Sequence, residues 1–254
     1  MFTVRHWKTQ PMSRFKIFRL RNLLWIFRYR AWSPYYLVRY ARFIRLNLFG
    51  PRDVVCLGFV FLGKGVELSV RKGFGRIVIE PWVHIGDHNR IRAHEGTVSI
   101  GTKSVFGRDN TVNAYLSVII GAECIFSDSI YVCDFDHRLD NTEIPIRQQG
   151  IIKSPVVIES DVWIGTKVTI LRGSKIGRGS VIGANSVVKG NFAPMSIAGG
   201  VPARLIRSRL KPTQASHAQA EHQAYVDALT QEALKDSTGD KFGSIPRPGQ
   251  PERE

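Results

Sequence analysis

Acidic side chains are missing from the first 52 residues of this sequence, and cysteine is scarce throughout its 254 residues. The three cysteines are an odd number in a long chain, which excludes a disulfide scaffold and is typical of a reducing compartment. The first 52 residues also lack any apolar run close to the roughly 20 residues of a membrane-spanning helix. They show no apolar region followed by a small-residue cleavage site, so the sequence does not predict a secretory signal.

Positive charge is concentrated at the N-terminal end. Residues 1–52 hold twelve arginines and lysines, whereas the remaining 202 residues hold 24 basic and 21 acidic side chains. The formal net charge of +15 therefore belongs mainly to an N-terminal segment, and the rest of the chain is nearly neutral. A hydrophobic content of 43% is enough for a folded core, which excludes disorder as the dominant state.

The basic segment, residues 1–52, contains thirteen aromatic residues interleaved with the arginines. Ser33-Pro34 has the sequence of a helix start and divides the segment into two predicted amphipathic helices, at 14–31 and 34–48. In the second helix one face carries Arg39, Arg42 and Arg45, and another carries Leu37, Ala41, Ile44 and Leu48. This pattern is typical of a helix lying in the plane of an anionic membrane surface. We favour that interpretation over packing on the domain or a neighbouring subunit, and over nucleic-acid binding.

A β-branched aliphatic residue recurs at every sixth position from residue 158 onward. Neither a helix nor an ordinary strand has a period of six. A triangular coil does, because each group of six residues (a hexad) forms one flat side, with its aliphatic residue pointing inward and small residues at the corner. Stacked coils then pair through parallel ladders, so the pattern predicts an all-β solenoid. The recurring residues are Ile158, Ile164, Ile170, Ile176, Ile182 and Val188.

The same spacing occurs upstream in three shorter runs with shifted registers, which indicates small insertions at the corners. These runs are Ile79, Ile85 and Ile91; Ile100, Phe106, Val112 and Val118; and Ile120, Phe126 and Val132. The pattern stops between 133 and 157, leaving a polar loop that contains Asp134, Asp136 and His137. A loop of this length that leaves a regular solenoid is usually functional.

Three segments follow from these patterns. The basic segment 1–52 precedes a solenoid domain at 53–210, from which the loop 133–157 departs. Residues 211–254 are polar and rich in alanine, and they end in a proline-rich sequence. We expect them to form a polar tail, with a helix near 215–236 followed by disorder.

The solenoid sequence resembles the hexapeptide-repeat acyltransferases, and in particular their maltose/galactoside O-acetyltransferase branch. The resemblance covers residues 79–208 and is most specific in D-V-W-I-G-T-K-V-T-I-L-R-G-S-K-I-G-R-G-S-V-I-G-A-N-S-V-V (161–188) and A-G-G-V-P-A-R-L-I-R (198–207). It implies a left-handed parallel β-helix, which is an exception to the usual right-handed crossover. It also implies a homotrimer with acyl-CoA, the co-substrate, in the groove between adjacent prisms, and no tightly bound cofactor.

The resemblance implies roles for individual residues. His137 matches the family's catalytic histidine, and acyl transfer from a thioester to a hydroxyl requires a base. Asn113 matches an asparagine that hydrogen-bonds the acceptor sugar, although asparagine also forms ladders inside β-helices. Trp163 matches an aromatic residue of the acyl and pantetheine slot, and trimer packing is its alternative role. Asp136, which we group with Asn113 and Trp163 at the acceptor, and Asp134 could bind an acceptor hydroxyl, orient His137, or be solvated.

The resemblance also implies two groups of residues that bind acyl-CoA, which match the family's contacts with pantetheine and with the nucleotide phosphates. At small-residue corners of the coil, backbone amides can approach the neutral pantetheine. Beyond the last coil, cations can meet the nucleotide phosphates, and the bidentate guanidinium of arginine suits phosphate. The corner positions are Gly165, Thr166 and Ala184, and the phosphate positions are Lys189, Gly190, Arg204 and Arg207.

We therefore predict a CoA-dependent O-acyltransferase, most simply an acetyltransferase. Its expected acceptor is a hydroxyl of a sugar, glycan or glycolipid at the cytoplasmic face of the cell membrane, and no nucleic-acid partner is expected. One alternative is a noncatalytic assembly scaffold of the same fold. Another is a carbonic-anhydrase-like metalloenzyme, which needs three zinc-binding histidines from neighbouring subunits. The spacing of His84, His88, His94 and His137 does not match that pattern, so no metal site is predicted.

Overall fold

The computed structural model describes residues 33–210 and the isolated positions 223, 224, 227, 228 and 231. The predicted helix at 14–31 and the predicted disorder after residue 236 lie outside the described residues. The five isolated positions are helical and fall within the helix predicted near 215–236.

Residues 54–208 form a prism with three flat faces, each of which is a sheet of short strands from successive coils. The chain visits faces A, B and C in turn and then returns to face A. Face A contains Val54–Cys56, Arg76–Ile79, Thr97–Ile100, Ser117–Ile120, Val156–Ile158, Lys175–Ile176 and Asn191–Phe192. Face B contains Phe61–Leu62, His84–Ile85, Val105–Phe106, Ile125–Phe126, Trp163–Ile164, Val181–Ile182, Ser196–Gly200 and Ala203–Ser208. Face C contains Glu67–Val70, Arg90–Ala93, Thr111–Ala114, Tyr131–Cys133, Thr169–Ile170 and Val187–Val188.

The inward aliphatic residues of the hexads form the core. Ile158, Ile164 and Ile170 lie on the three faces of one coil, and each is 0% exposed. Ile176 begins the next coil and pairs in parallel register with Ile158, so this coil repeats after three hexads. Each such burial contributes roughly 1.5–3 kcal/mol relative to an exposed side chain. The predicted left-handed parallel β-helix is confirmed.

The upstream coils are longer because their corners contain extra residues. Ile79, Ile100 and Ile120 are aligned on face A, although they are 21 and 20 residues apart in the sequence. Stacked corners leave little space between their backbones: a Cβ added to Gly96 would lie 2.4 Å from the carbonyl oxygen of Leu116. The predicted corner insertions are therefore present, and they shift the sequence register without shifting the core.

The N-terminal helix spans Pro34–Phe49, close to the predicted 34–48, and it packs against the first coil of the prism. Phe43 is 1% exposed, and its ring centroid lies 4.9 Å from that of Phe59. Tyr40 also contacts Phe59, at 4.8 Å between ring centroids, and Tyr36 contacts Phe61. The helix therefore packs on the domain, which was one of the alternatives considered for it, and its aromatic face is part of the core.

A second face of the same helix stays exposed. Leu37, Ile44 and Leu48 are 54%, 43% and 59% exposed, and Arg45 is exposed beside them. No helix in the part of the chain that the structure describes is long and apolar enough to cross a bilayer.

Candidate active site

The polar loop of the sequence is a β-hairpin that leaves the edge between faces C and A. Phe135–His137 pairs antiparallel with Ile151–Lys153, and His137 lies opposite Ile151. The base of the hairpin is closed by the Ser154 N–H, which donates to the Asp134 carbonyl oxygen at 2.8 Å. The excursion is therefore a defined structural element that holds its residues at one edge of the prism.

Asp134 fixes the point at which the hairpin departs. Its carboxylate is fully buried and accepts the backbone N–H groups of Tyr115, Leu116 and Ser117 at 2.8, 2.7 and 2.6 Å. Burial raises the pKa of the Asp134 carboxyl above its ordinary value, and the three N–H donors oppose part of that rise. Asp134 thus joins the corner of one coil to the start of the hairpin and is not available to a substrate.

The hairpin is held from both sides. Along a strand alternate side chains point to opposite sides, so Phe135 and His137 share one side while Asp136 points to the other. The Phe135 ring contacts Tyr115, with 4.5 Å between ring centroids. Asp136 accepts the Nε–H of Arg172 at 2.5 Å, which ties the opposite side of the hairpin to a later coil.

His137 is exposed at the end of this clamped strand. Within the part of the chain that the structure describes, its imidazole has no hydrogen bond or ion pair. Of the roles considered for the two acids, neither Asp134 nor Asp136 contacts the imidazole, because both carboxylates are engaged elsewhere. The arrangement leaves the ring free to meet a ligand.

Asn113 lies on the outward side of face C, opposite Cys133 in the neighbouring strand. It is not part of an internal ladder: that role belongs to Asn89 and Asn110, because the Asn110 N–H donates to the Asn89 side-chain oxygen at 3.2 Å. The Nδ2 of Asn113 donates to the hydroxyl of Tyr131 at 3.2 Å. Asn113 and His137 therefore belong to the same edge of the prism.

Trp163 lies on face B, away from that edge. Its indole N–H donates to Ser127 Oγ at 3.3 Å, and the side chain is 51% exposed. It continues an outward row with Val105 and Ile125, its neighbours across the parallel ladder, which are 42% and 53% exposed. Face B thus presents a contiguous apolar row to its surroundings.

The three predicted pantetheine positions meet at the corner between faces B and C. A Cβ added to Gly165 would lie 2.6 Å from the backbone nitrogen of Ala184, so the two corners are in direct contact. Thr166 donates its hydroxyl to the Asp128 carbonyl oxygen at 2.9 Å. The close stacking explains why glycine is needed at residue 165.

Of the three basic residues predicted to bind the phosphates, two line the same cavity. A cavity of about 320 Å³ opens at the C-terminal end of the prism, and its walls include Lys189 and Arg204. Gly190 is adjacent in sequence and has a φ of 104°, a conformation that favours glycine. Arg207 lies on the same strand as Arg204 but does not line the cavity. The remaining lining residues are Asn191, Phe192, Ala193, Ser196, Ala203 and Leu205.

Two contacts in the site were missed in the sequence. Tyr131 pairs with Thr111, two residues before Asn113, in a coil of 20 residues, so the spacing of Val112 and Val132 could have placed the two side chains on neighbouring strands of one face. Arg172 could not have been found in that way, because its partner Asp136 lies on the hairpin, outside the repeat. Residues 33–210 and the other described positions contain no cluster of His, Cys, Asp or Glu that could hold a metal ion.

The chain is similar to several known proteins. Residues 155–190 match the family described as bacterial transferase hexapeptide (six repeats). The chain is 49% identical over 204 residues to the probable acetyltransferase Rv3034c of Mycobacterium tuberculosis, which covers 80% of this chain and 68% of that protein.

Solved structures with a similar fold include a variant of AntD, an N-acyltransferase from Bacillus cereus, in complex with dTDP and coenzyme A. Its TM-score is 0.52 at 22% identity, over 72% of this chain and 90% of that chain. A hexapeptide-repeat acetyltransferase from Vibrio cholerae, complexed with acetyl-CoA, is 28% identical over 71% of this chain and 81% of that chain, with a TM-score of 0.42. With the fold, the repeat and the close relative in agreement, the family and enzyme class predicted from the sequence are confirmed: the chain belongs to the hexapeptide-repeat acyltransferases.

Proposed function

We propose that this enzyme transfers an acyl group, most simply acetyl, from acyl-CoA to a hydroxyl group of a sugar acceptor, with His137 as the general base. The observation that carries the proposal is the state of the titratable groups on the hairpin strands. Asp136 is paired with Arg172 and Lys153 with Glu95, whereas the imidazole of His137 is exposed. An exposed imidazole that is not held by a neighbouring group can take up a proton on a ring nitrogen and return it.

The proposed reaction needs one proton to move twice. His137 accepts the proton of the acceptor hydroxyl as the oxygen attacks the thioester carbonyl carbon. The tetrahedral intermediate then collapses, the carbon–sulfur bond breaks, and the imidazolium returns the proton to the thiolate of CoA. The products are the acylated acceptor and free CoA, and the enzyme is unchanged.

The placement of the residues supports a site assembled from two chains of a homotrimer. His137 and Asn113 lie at the edge between faces C and A, whereas Trp163 lies on face B. A convex prism cannot bring these surfaces to one ligand, but the edge of one copy can meet face B of the next in a cyclic assembly. The exposed apolar row on face B gives that neighbour a surface to cover.

The residues proposed for acyl-CoA follow one another along the prism toward its C-terminal end. They start at Trp163 on face B, follow the corner at Thr166 and Ala184, and end at Lys189 and Arg204 in the C-terminal cavity. Apolar and small residues thus come first and cations last, in the order of acyl group, pantetheine and nucleotide phosphates. An AntD structure that holds coenzyme A and dTDP-4-amino-4,6-dideoxyglucose supports a CoA donor and a sugar-linked acceptor on this fold.

We further propose that the N-terminal helix brings the enzyme to an anionic membrane surface, where a glycan or glycolipid acceptor would be located. The helix docks through Phe43 and leaves Leu37, Ile44 and Leu48 exposed. The segment before it supplies most of the twelve cations and no acid. Each Lys or Arg near an anionic leaflet contributes about 1 kcal/mol to binding.

Vesicle flotation tests the membrane proposal. Full-length protein should float with anionic liposomes, lose most of this binding at high salt, and not bind neutral liposomes. Leu48→Glu should weaken flotation, whereas the same change at Val201, an even more exposed apolar residue at the other end of the prism, should not. Because Pro34–Phe49 is docked, the informative deletion removes residues 1–32. Unchanged flotation of that deletion together with Leu48→Glu would refute the proposal.

The catalytic proposal is tested by thiol release from acetyl-CoA with a panel of p-nitrophenyl glycosides and amino sugars, followed by product analysis. His137→Ala should lower kcat by about 10²–10⁴-fold with little change in CoA affinity, because a lost base affects only the transition state. Arg138→Ala, on the same loop and exposed, is the matched control. Products acylated on nitrogen alone would favour an amino acceptor instead, as the N-acyltransferase AntD suggests.

A further inference from the structure

The side chain of Asn113 is poorly placed to contact an acceptor directly. It is 8% exposed, and its Nδ2 already donates to the Tyr131 hydroxyl. Its Oδ1 is buried without a hydrogen-bond partner in the part of the chain that the structure describes. An amide in this position can orient a neighbour more easily than it can reach a sugar.

Tyr131 is the neighbour that Asn113 orients. It is 37% exposed on the outward side of face C, on the strand that leads directly into the hairpin of His137. Its hydroxyl oxygen accepts from Asn113, so the O–H remains a donor. The thiol of Cys133 lies near the same hydroxyl and is only a weak hydrogen-bond partner. Burial raises the pKa of the Tyr131 phenol, which keeps its proton in place at neutral pH.

The surface around Tyr131 matches a polyhydroxylated ligand. Thr111 and Thr169 flank Tyr131 across the parallel ladder, so three hydroxyl-bearing side chains form a row. Arg92, on the strand two coils before Tyr131, pairs with Asn113 and is held by Glu67 at 3.1 Å. This polar row contrasts with the apolar row on face B, which suits the acyl and pantetheine parts of the donor.

We propose that Tyr131 makes the direct hydrogen bond to the acceptor sugar, and that Asn113 is a positioning residue that acts through Tyr131. The inference rests on the proposed transfer to a sugar hydroxyl and adds the residue that recognises it. The tyrosine O–H donates to an acceptor oxygen while the Asn113 amide fixes the direction of that donor.

A double-mutant cycle on the full-length enzyme separates the two roles. The probe is the p-nitrophenyl glycoside that the wild type acetylates fastest, and the KM for glycoside and for acetyl-CoA is measured for each variant. Tyr131→Phe removes only the hydroxyl and should raise the glycoside KM by roughly 3- to 10-fold, the value of one neutral hydrogen bond. The KM for acetyl-CoA should stay within about twofold. Tyr35→Phe, the same change at an exposed tyrosine on the N-terminal helix, is the control.

The second side of the cycle tests Asn113. Asn113→Ala should raise the glycoside KM in the wild-type background and have no further effect in the Tyr131→Phe background, because it acts through the missing hydroxyl. If instead the glycoside KM of the double variant rises by the product of the two single increases, Asn113 contacts the acceptor directly and the proposal is overturned. An unchanged glycoside KM in Tyr131→Phe, or an equal rise for acetyl-CoA, would overturn it as well.

Folding and the proposed function are controlled separately. Thermal unfolding checks each variant, and if Asn113→Ala does not fold, the comparison of Tyr131→Phe with Tyr35→Phe still decides whether the hydroxyl contacts the acceptor. If the wild type transfers acetyl to no glycoside, the proposed function itself is refuted. If the wild type is active and Tyr131→Phe leaves the glycoside KM unchanged, only this inference is refuted.

Discussion

Two inactive variants should restore each other when their chains assemble together. His137→Ala removes the proposed base from the edge between faces C and A, and Trp163→Ala removes the indole from face B. If each site takes the hairpin from one chain and face B from the next, a mixed trimer contains sites in which both contributors are intact. Neither homotrimer contains such a site.

The size of the effect follows from the geometry. In a random one-to-one mixture, half of the sites receive the hairpin from a chain with an intact His137. Half of those sites receive face B from a chain with an intact Trp163, so about a quarter of all sites carry both residues. The co-assembled sample should therefore show about a quarter of the wild-type rate at equal chain concentration.

The assay compares co-expressed and separately purified variants by thiol release from acetyl-CoA. Samples mixed after purification keep their homotrimers and should show only the residual rate of His137→Ala and Trp163→Ala. A second mixture supplies the matched control: wild-type chains co-assembled with the double variant. Sites shared between chains should again give about a quarter of the wild-type rate, whereas sites within one chain should give about a half.

A site formed within a single chain would give different rates in both mixtures. If His137 and Trp163 act within one chain, co-assembly of the single variants restores nothing, and the wild-type mixture gives half of the activity. A fully active monomer in analytical ultracentrifugation would refute the shared site directly.

Three further predictions follow from the packing and the charges. Phe43→Ala should lower the free energy of unfolding by about 3–5 kcal/mol, because it leaves a cavity under the helix; urea unfolding measures it, and Tyr35→Ala, which removes an exposed ring from the same helix, should cost far less. Asp134→Ala should lower the melting temperature more than Asp134→Asn, because alanine leaves three backbone N–H groups without their acceptor, whereas asparagine keeps one side-chain oxygen; equal losses would contradict the role given to the carboxylate. Lys189→Glu and Arg204→Glu should raise the KM for acetyl-CoA, less so at high salt and less for dephospho-CoA thioesters, and equal penalties for both donors would argue against contact with the 3′-phosphate.

The hexad spacing was the most reliable guide to the fold. Side chains six residues apart reach successive faces of a triangular coil, so Ile158, Ile164 and Ile170 were recognisable as core from spacing alone, and all three are buried. The same arithmetic detected the corner insertions upstream and the excursion at 133–157. Repeats of this kind are local, because each coil contacts only its neighbours, and local patterns are visible in a sequence.

The packing of the N-terminal helix could not be predicted from the sequence. The limits of the helix were predicted from Ser33-Pro34 and the pattern that follows, but the docking of Phe43 on Phe59 was not. Two faces of the helix are apolar, one aromatic and one aliphatic, and the sequence does not say which of them the prism covers. Only the contact with the first coil decided that the aromatic face is buried and the aliphatic face exposed.

The sequence by itself determined the coil, its three faces and the identity of the excursion, since these depend on spacing along one chain. The tertiary structure decided the state of each polar group, since that depends on partners distant in sequence. Asp134 and Asp136 cannot be distinguished by sequence, yet Asp134 is buried against backbone amides whereas Asp136 is paired with Arg172. Spacing fixes which face a residue occupies, whereas burial and partner geometry fix what its side chain can do there.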